Sequence, residues 1–211
     1  MIDRAELLRA VIENPDDDAP RLAFADWLDA HADTLPGTDR ESAKARAAYI
    51  RATVARARIP SVTRPADPWA SSGGFWSGEI STWAEQHASS PFSADPATVE
   101  RQRLWDVAFP LEEQYGERWV DEDIPPTHTE RPREFDRGFL ECLRISPRLL
   151  ARSPALFLDA APIRGLTFEW NHRFGFNTAA DAAAVAALPQ LRRVRDIDFF
   201  AAGDEFVAAF V

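Results

Sequence analysis

The chain has 211 residues, 45% of them hydrophobic, which is enough for one domain or two small ones with a real core. Its formal charge is −10, from 24 basic and 34 acidic residues, and a surface of that sign excludes nucleic-acid binding unless a local basic stripe exists. The single cysteine, Cys142, excludes a disulfide framework within the chain and fits a reducing compartment.

The opening "MIDRAELLRAVIENP" carries charges throughout and lacks the apolar run of a secretory signal. No stretch approaches the roughly 18 to 20 apolar residues that cross a bilayer. The expectation is a cytoplasmic chain with no membrane partner. Arg131, Arg133 and Arg137, and "RRVR" at 192–195, are interleaved with acidic or apolar residues, so no nucleic-acid partner is expected either.

Residues 3–13, "DRAELLRAVIE", read as a helix with Asp3 and Glu6 as a capping box and Leu7, Leu8, Val11 and Ile12 as its apolar face. Pro15 biases Asn14 out of the helical region and stops it. In "DDDAPRLAFADWLDAHAD", Asp16, Asp17 and Asp18 sit at the positive end of a second helix, with Pro20 in its first turn. Phe24, Trp27, Leu28 and His31 follow the i, i+3, i+4, i+7 rule and share a face. Asp29 and Asp33 fall mostly on the wet side. Asp26 is the odd one, beside Trp27 and on the stripe of Leu22. A third helix is predicted over Asp39 to Arg58, with Tyr49, Ile50, Thr53 and Val54 as its stripe, and the three should pack as a bundle.

From Ile59 to Pro96 the texture turns to Pro, Ser and Gly, yet it carries Trp69, Phe75, Trp76 and Trp83. A short helix fits Glu79 to His87. "DPATVERQRLWDVAF" starts another helix, with Asp95 as cap and Pro96 at the first position; Pro110 is predicted to interrupt it before "LEEQYGERWV" resumes. Residues 121–134 read as loop.

The last third alternates. "FLECLRI" (139–145), "IRGLTF" (163–168) and "VRDIDF" (194–199) are strands by period. They align when Leu143 and Ile145 stand beside Leu166 and Phe168, and these beside Ile197 and Phe199. Helical segments "SPRLLARSPALFLDA", "TAADAAAVAALPQ" and "GDEFVAAFV" follow the strands in turn. Strand, turn and helix recurring every 20 to 30 residues or so predicts a solenoid.

These residues carry a resemblance. Pro15, Asp17, Asp18, Arg21, Leu22, Ala25, Asp26, Trp27 and Leu28 match the P-x-D-D-x-x-R-L-x-x-A-D-W-L pattern of the repeat-companion domain, a helical module at the N-terminus of bacterial leucine-rich-repeat proteins. With "AAYIRATVARAR", the likeness covers roughly residues 5–58. Arg137, Gly138 and Phe139 resemble that family's "RGF" strand opening. "LPQLRRVRDIDFFAAGDEFVAAF" resembles one leucine-rich repeat, with Leu188, Leu191, Val194, Ile197 and Phe199 in the ladder. Two departures stand out: residues 59–96 have no counterpart in the compact pattern, and Phe200 and Ala201 replace the asparagine that follows a repeat strand. The family has no established catalytic activity, so the resemblance implies no catalytic residues.

Each candidate site has a competing structural reading. Hard cations want converging oxygens and a calcium loop wants D-x-[DN]-x-[DN]-G, which the consecutive Asp16 to Asp18 do not supply, so no metal is expected there. Asp26 reads as one member of a structural ion pair with Arg51, with Arg21 as second choice; a shielded carboxylate needs such a partner. His31, His87, His128 and His172 have no metal-ligand spacing. "GGFWSGE" is neither a nucleophile elbow nor a phosphate loop. Cys142, in a strand, reads as a buried small hydrophobe. Trp69, Phe75, Trp76 and Trp83 either cover the joint between bundle and solenoid or anchor a partner, and they are the candidate partner-binding residues.

The expected fold is α/β: an N-terminal helical bundle (1–58), an aromatic connector with one or two helices (59–134), then a short leucine-rich-repeat-like β-α solenoid (135–211). The expected function is protein or peptide recognition without catalysis and without a cofactor. The alternatives are an accessory subunit presenting a substrate to a separate modifying enzyme and, third, a stand-alone hydrolase. Because no polar cap follows "FVAAFV", that end is expected to be covered by the bundle, by a second copy of the chain or by a different partner, so association is expected.

Overall fold

The computed structural model describes residues 3–35, 39–60, 95–124, 134–169, 178–200 and Ala208. Helix α1 (Arg4–Glu13) opens on a capping box: Asp3 accepts from the Glu6 N–H at 2.7 Å while Glu6 accepts from the Asp3 N–H at 3.2 Å. Helix α2 (Asp18–His31) takes only Asp17 of the three consecutive aspartates as its N-cap, accepting from the Ala19 N–H at 2.9 Å. A 3-10 turn over Ala32–Thr34 follows. Helix α3 (Asp39–Arg58) buries two faces: Ala43, Ala47, Ile50 and Val54 pack with Phe24 and Leu28 of α2, while Ala45, Tyr49 and Ala52 pack with a fourth helix.

That helix, α4 (Pro96–Asp123), corrects two expectations. The sequence predicts a break at Pro110 and loop over 121–134, but one helix runs through Pro110 and on to Asp123, and residues 125–133 lie outside the described residues. Proline in a helix interior costs about 3 kcal/mol, because a backbone bond is lost and the ring crowds the preceding turn. Packing on both sides of Pro110 offsets that cost. Before it, Leu104 and Ala108 are buried, Arg56 lies 4.9 Å over the Trp105 ring, and Arg101 donates to the Arg56 and Ile59 carbonyls at 3.1 and 2.9 Å. After it, the fully buried Trp119 lies 5.2 Å from the Tyr49 ring, tilted by 38°, and donates its indole N–H to Ser42 Oγ at 3.1 Å. Among the described residues the bundle therefore contains four helices, and the last of them comes from the span expected to be connector.

Four strands follow: β1 (Glu134–Asp136), β2 (Phe139–Ile145), β3 (Gly165–Glu169) and β4 (Asp196–Phe200), in that spatial order in one open sheet. β1 and β2 form an antiparallel hairpin whose turn, Arg137–Gly138, has φ of 44° and 89°. Two positive values make it a primed turn, which fits strand twist. Glycine is doubly required at 138, since a Cβ there would lie 2.9 Å from the Ile50 Cα. β2, β3 and β4 are parallel, and Leu143, Leu166 and Ile197 stand side by side, as do Ile145, Phe168 and Phe199. These are the pairs that the alternating pattern aligns.

The crossovers carry α5 (Pro147–Arg152), α6 (Pro154–Leu158), α7 (Ala179–Ala186) and a 3-10 turn at Pro189–Arg193. The single segment predicted after β2 is divided at Ser153, whose φ of −144° and ψ of 56° precede a proline. Leu150, Phe157, Leu158, Ala182 and Val185 of these helices form one apolar cluster with Leu143, Ile145, Leu166 and Phe168. Phe139 of the sheet belongs to the bundle core, edge-on to Phe24 at 5.3 Å, and Phe135 packs edge-on to Tyr49 and Trp119. The fold is mixed α/β, with helix predominating. No helix among the described residues is long and apolar enough to cross a membrane. The helices expected at 79–87 and 203–211 lie outside the described residues, Ala208 excepted.

Candidate functional site

The two motifs that carry the family resemblance meet in space. Arg21, one turn into α2 and fully buried, donates through Nη2 to the Pro15 carbonyl at 2.7 Å and through Nη1 to the carbonyls of Asp136 and Arg137 at 3.3 Å each. It also pairs with the buried carboxylate of Glu141 on β2. Arg137 returns the contact from the hairpin turn: its Nη2 donates to the same Pro15 carbonyl at 2.9 Å, and its Nη1 reaches the Asp16 carbonyl and Asp18 Oδ1 at 3.3 Å.

A repeat lies inside this cluster. Arg137, Arg164 and Arg195 each stand just ahead of a strand of the parallel ladder. Arg164 Nη1 is 2.8 Å from Asp16 Oδ1, and Arg195 pairs with Asp16 Oδ2. Asp18 also accepts from Arg58 at 2.9 Å. The consecutive aspartates thus serve as cap and as counter-charges for strand-leading arginines. The signal was present in "DRGF", "IRGL" and "VRDI", where arginine recurs one or two residues before the strand.

Burial, together with the Asp136 carboxylate, pushes Glu141 up from 4.5 to about 7, against the opposing pull of Arg21 and Arg137. Burial also holds Arg21 below its ordinary value. Among the described residues no nucleophile or histidine is part of this cluster; the Glu141 carboxylate is held by Arg21, while Arg21 Nε has no hydrogen-bond partner. The arrangement joins α2 to the sheet.

Asp26 stands elsewhere. Arg51 Nη2 is 2.8 Å from Asp26 Oδ1 and Arg51 Nη1 is 2.5 Å from Asp29 Oδ2. The Asp26 side chain is 75% exposed, so it is not the shielded carboxylate that its place beside Trp27 suggests. Such a pair contributes about 0.2 to 1 kcal/mol. A second shielded pair that sequence reasoning missed, beside Arg21 with Glu141, is Arg46 with Asp123, from α3 and the last turn of α4, both buried and joined through two oxygens. Its guanidinium lies 5.4 Å from the Phe139 ring, with Arg21 5.3 Å from the same ring.

Trp69, Phe75, Trp76 and Trp83 lie outside the described residues, as do His87, His128 and His172. His31 stacks on Trp27 at 4.4 Å. No group of three His, Cys, Asp or Glu among the described residues is placed to hold a metal ion. Cys142 is half-buried rather than buried, because it points away from the helix-covered face of the sheet, with the Cα of Gly165 opposite it.

That second face is the remaining candidate. Alternation sends Leu143, Ile145, Leu166 and Phe168 into the helices, and Arg144, Thr167 and Asp198 form a half-exposed polar row on the other side. Asp196, opposite Gly165 and Cys142, extends it and is exposed. No family model, curated protein or solved structure matches the chain.

Proposed function

We propose that the chain is a non-catalytic module that recognises a protein or peptide, built as a repeat-companion-like helical bundle bracing a short leucine-rich-repeat-like ladder. The observation that carries this reading is the division of the parallel sheet into one face sealed by helices and one face bearing the polar row Arg144, Thr167 and Asp198. Rows of side chains at strand spacing, on a backbone held rigid from behind, present regularly placed polar groups to an extended partner. The buried charges support recognition over catalysis, since Glu141 and Asp123 are each committed to arginines.

Affinity capture with cross-linking and mass spectrometry tests the reading, comparing the parent chain with a Thr167→Arg/Asp198→Arg variant. The expected result is a partner retained by the parent, cross-linked to β2–β4, and lost by the variant. Equal retention by both proteins, or no retained protein at all, counts against it.

A further inference from the structure

The parallel ladder stops at β4. That strand is last in the spatial order β1-β2-β3-β4, and among the described residues no further strand pairs with its far side. A strand at the end of a sheet keeps a row of N–H and C=O groups turned outward, which is a template for one more strand. The core thins toward the same edge. Leu166 and Phe168 of β3 are each 1% exposed, while Ile197 and Phe199, beside them on β4, are only half-buried. Leu188, Leu191 and Val194, which lead into β4, are half-buried too.

Charge decides what that edge accepts. On the outer face β4 carries Asp196, exposed, and Asp198, half-exposed, and among the described residues neither carboxylate accepts a hydrogen bond or forms an ion pair. The cation of the same row, Arg144, stands on β2, two strand spacings of about 4.8 Å from Asp198. A second copy of the chain fits this edge poorly. Two-fold pairing of β4 centred on Ile197 opposes Asp196 to Asp198, and pairing centred on Asp198 opposes that residue to its own copy. Like charges directly opposite destabilise a strand pair, and a chain charge of −10 adds to the repulsion. A strand of the opposite sign meets neither penalty.

The geometry points to the far edge of β4 as a strand-addition site for a basic extended peptide, one in which lysine or arginine alternates with apolar residues. The peptide main chain bonds to the outward N–H and C=O groups of β4. With the two-residue period of a strand, its cations stand beside Asp196 and Asp198 on the outer face. Its apolar residues then extend the cover over Ile197 and Phe199 on the helix-covered side. The site rests on the recognition reading above and gives the partner a sign, a spacing and a line of main-chain contact.

The test is fluorescence anisotropy of labelled acetyl-Val-Lys-Val-Lys-Val-amide with the whole protein, beside a glutamate counterpart and a lysine peptide N-methylated throughout its main chain. The lysine peptide should bind saturably and slow amide exchange over residues 196–200, and the other two should do neither. Asp196→Asn/Asp198→Asn should weaken binding by about threefold or more, with an unchanged melting curve showing that the fold is intact. Absence of binding by the lysine peptide, equal binding by the N-methylated one, or unchanged exchange in β4 overturns the assignment. So does a dimer of the parent chain in sedimentation that protects the same amides, because a second copy then holds the edge. Should the peptide fail while a captured partner is still lost by Thr167→Arg/Asp198→Arg, the edge assignment falls and the recognition reading stands.

Discussion

Arg21 and Arg51 show how the same chemistry carries different weight with burial. Arg21 is fully enclosed with Glu141, so removing it strands a carboxylate in the interior. At about pH 8, Arg21→Met should lose roughly 3 to 5 kcal/mol in urea unfolding, and Arg21→Met/Glu141→Gln should recover part of it. Arg51→Ala should lose less than about 1 kcal/mol, because both of its carboxylates face water. Glu141 also sets a pH dependence. Its folded value, about 7, lies above its ordinary 4.5, so the folded state holds the proton more tightly. The stability from that proton is fully present below about 4.5 and is lost as pH rises through 7. Relative to Glu141→Gln, the parent chain should therefore lose stability between about pH 5 and pH 8 and level off above that. Urea titrations at stepped pH check it, and an opposite slope refutes it.

At the scale of elements, local rules succeed where the forces are local. The capping box of α1 and the cap of α4 need only neighbours within one turn, and both are legible in the sequence. Strand alternation is equally local, and with the helix-covered side buried it also sets the register of the three parallel strands. Pro110 is the failure. The local rule says break, but burial of Leu104, Ala108 and Trp119 against their neighbours spans the defect. The missing bond remains a standing cost on an exposed position. Pro110→Ala should accordingly stabilise the protein by up to about 3 kcal/mol, raising the melting temperature by several degrees. No rise, or a fall, would mean that the proline ring itself contributes packing.

For the whole molecule, bundle and sheet are tied at several points. Phe139 leaves the sheet to join the bundle core, and Asp16 holds arginines from the turns ahead of β3 and β4. Such coupling predicts one cooperative transition, with near-UV and far-UV signals coinciding in urea. Asp16→Lys/Asp18→Lys places like charges against Arg137, Arg164, Arg195 and Arg58, and should separate the two signals. Coincident curves in the variant would show that Phe139 and its neighbours suffice.

What the sequence determines by itself is whatever repeats or terminates over a few residues: the helix caps, the three parallel strands and their alignment, and an excess of acid that repels phosphate. Only the tertiary structure decided that Arg21 meets Glu141, 120 residues away, and that α4 completes the bundle. The reason is physical. Periodicity and capping are short-range properties of the backbone, whereas the partner of a buried charge is chosen by which surfaces close over it, and nothing in the spacing of residues along the chain encodes that choice.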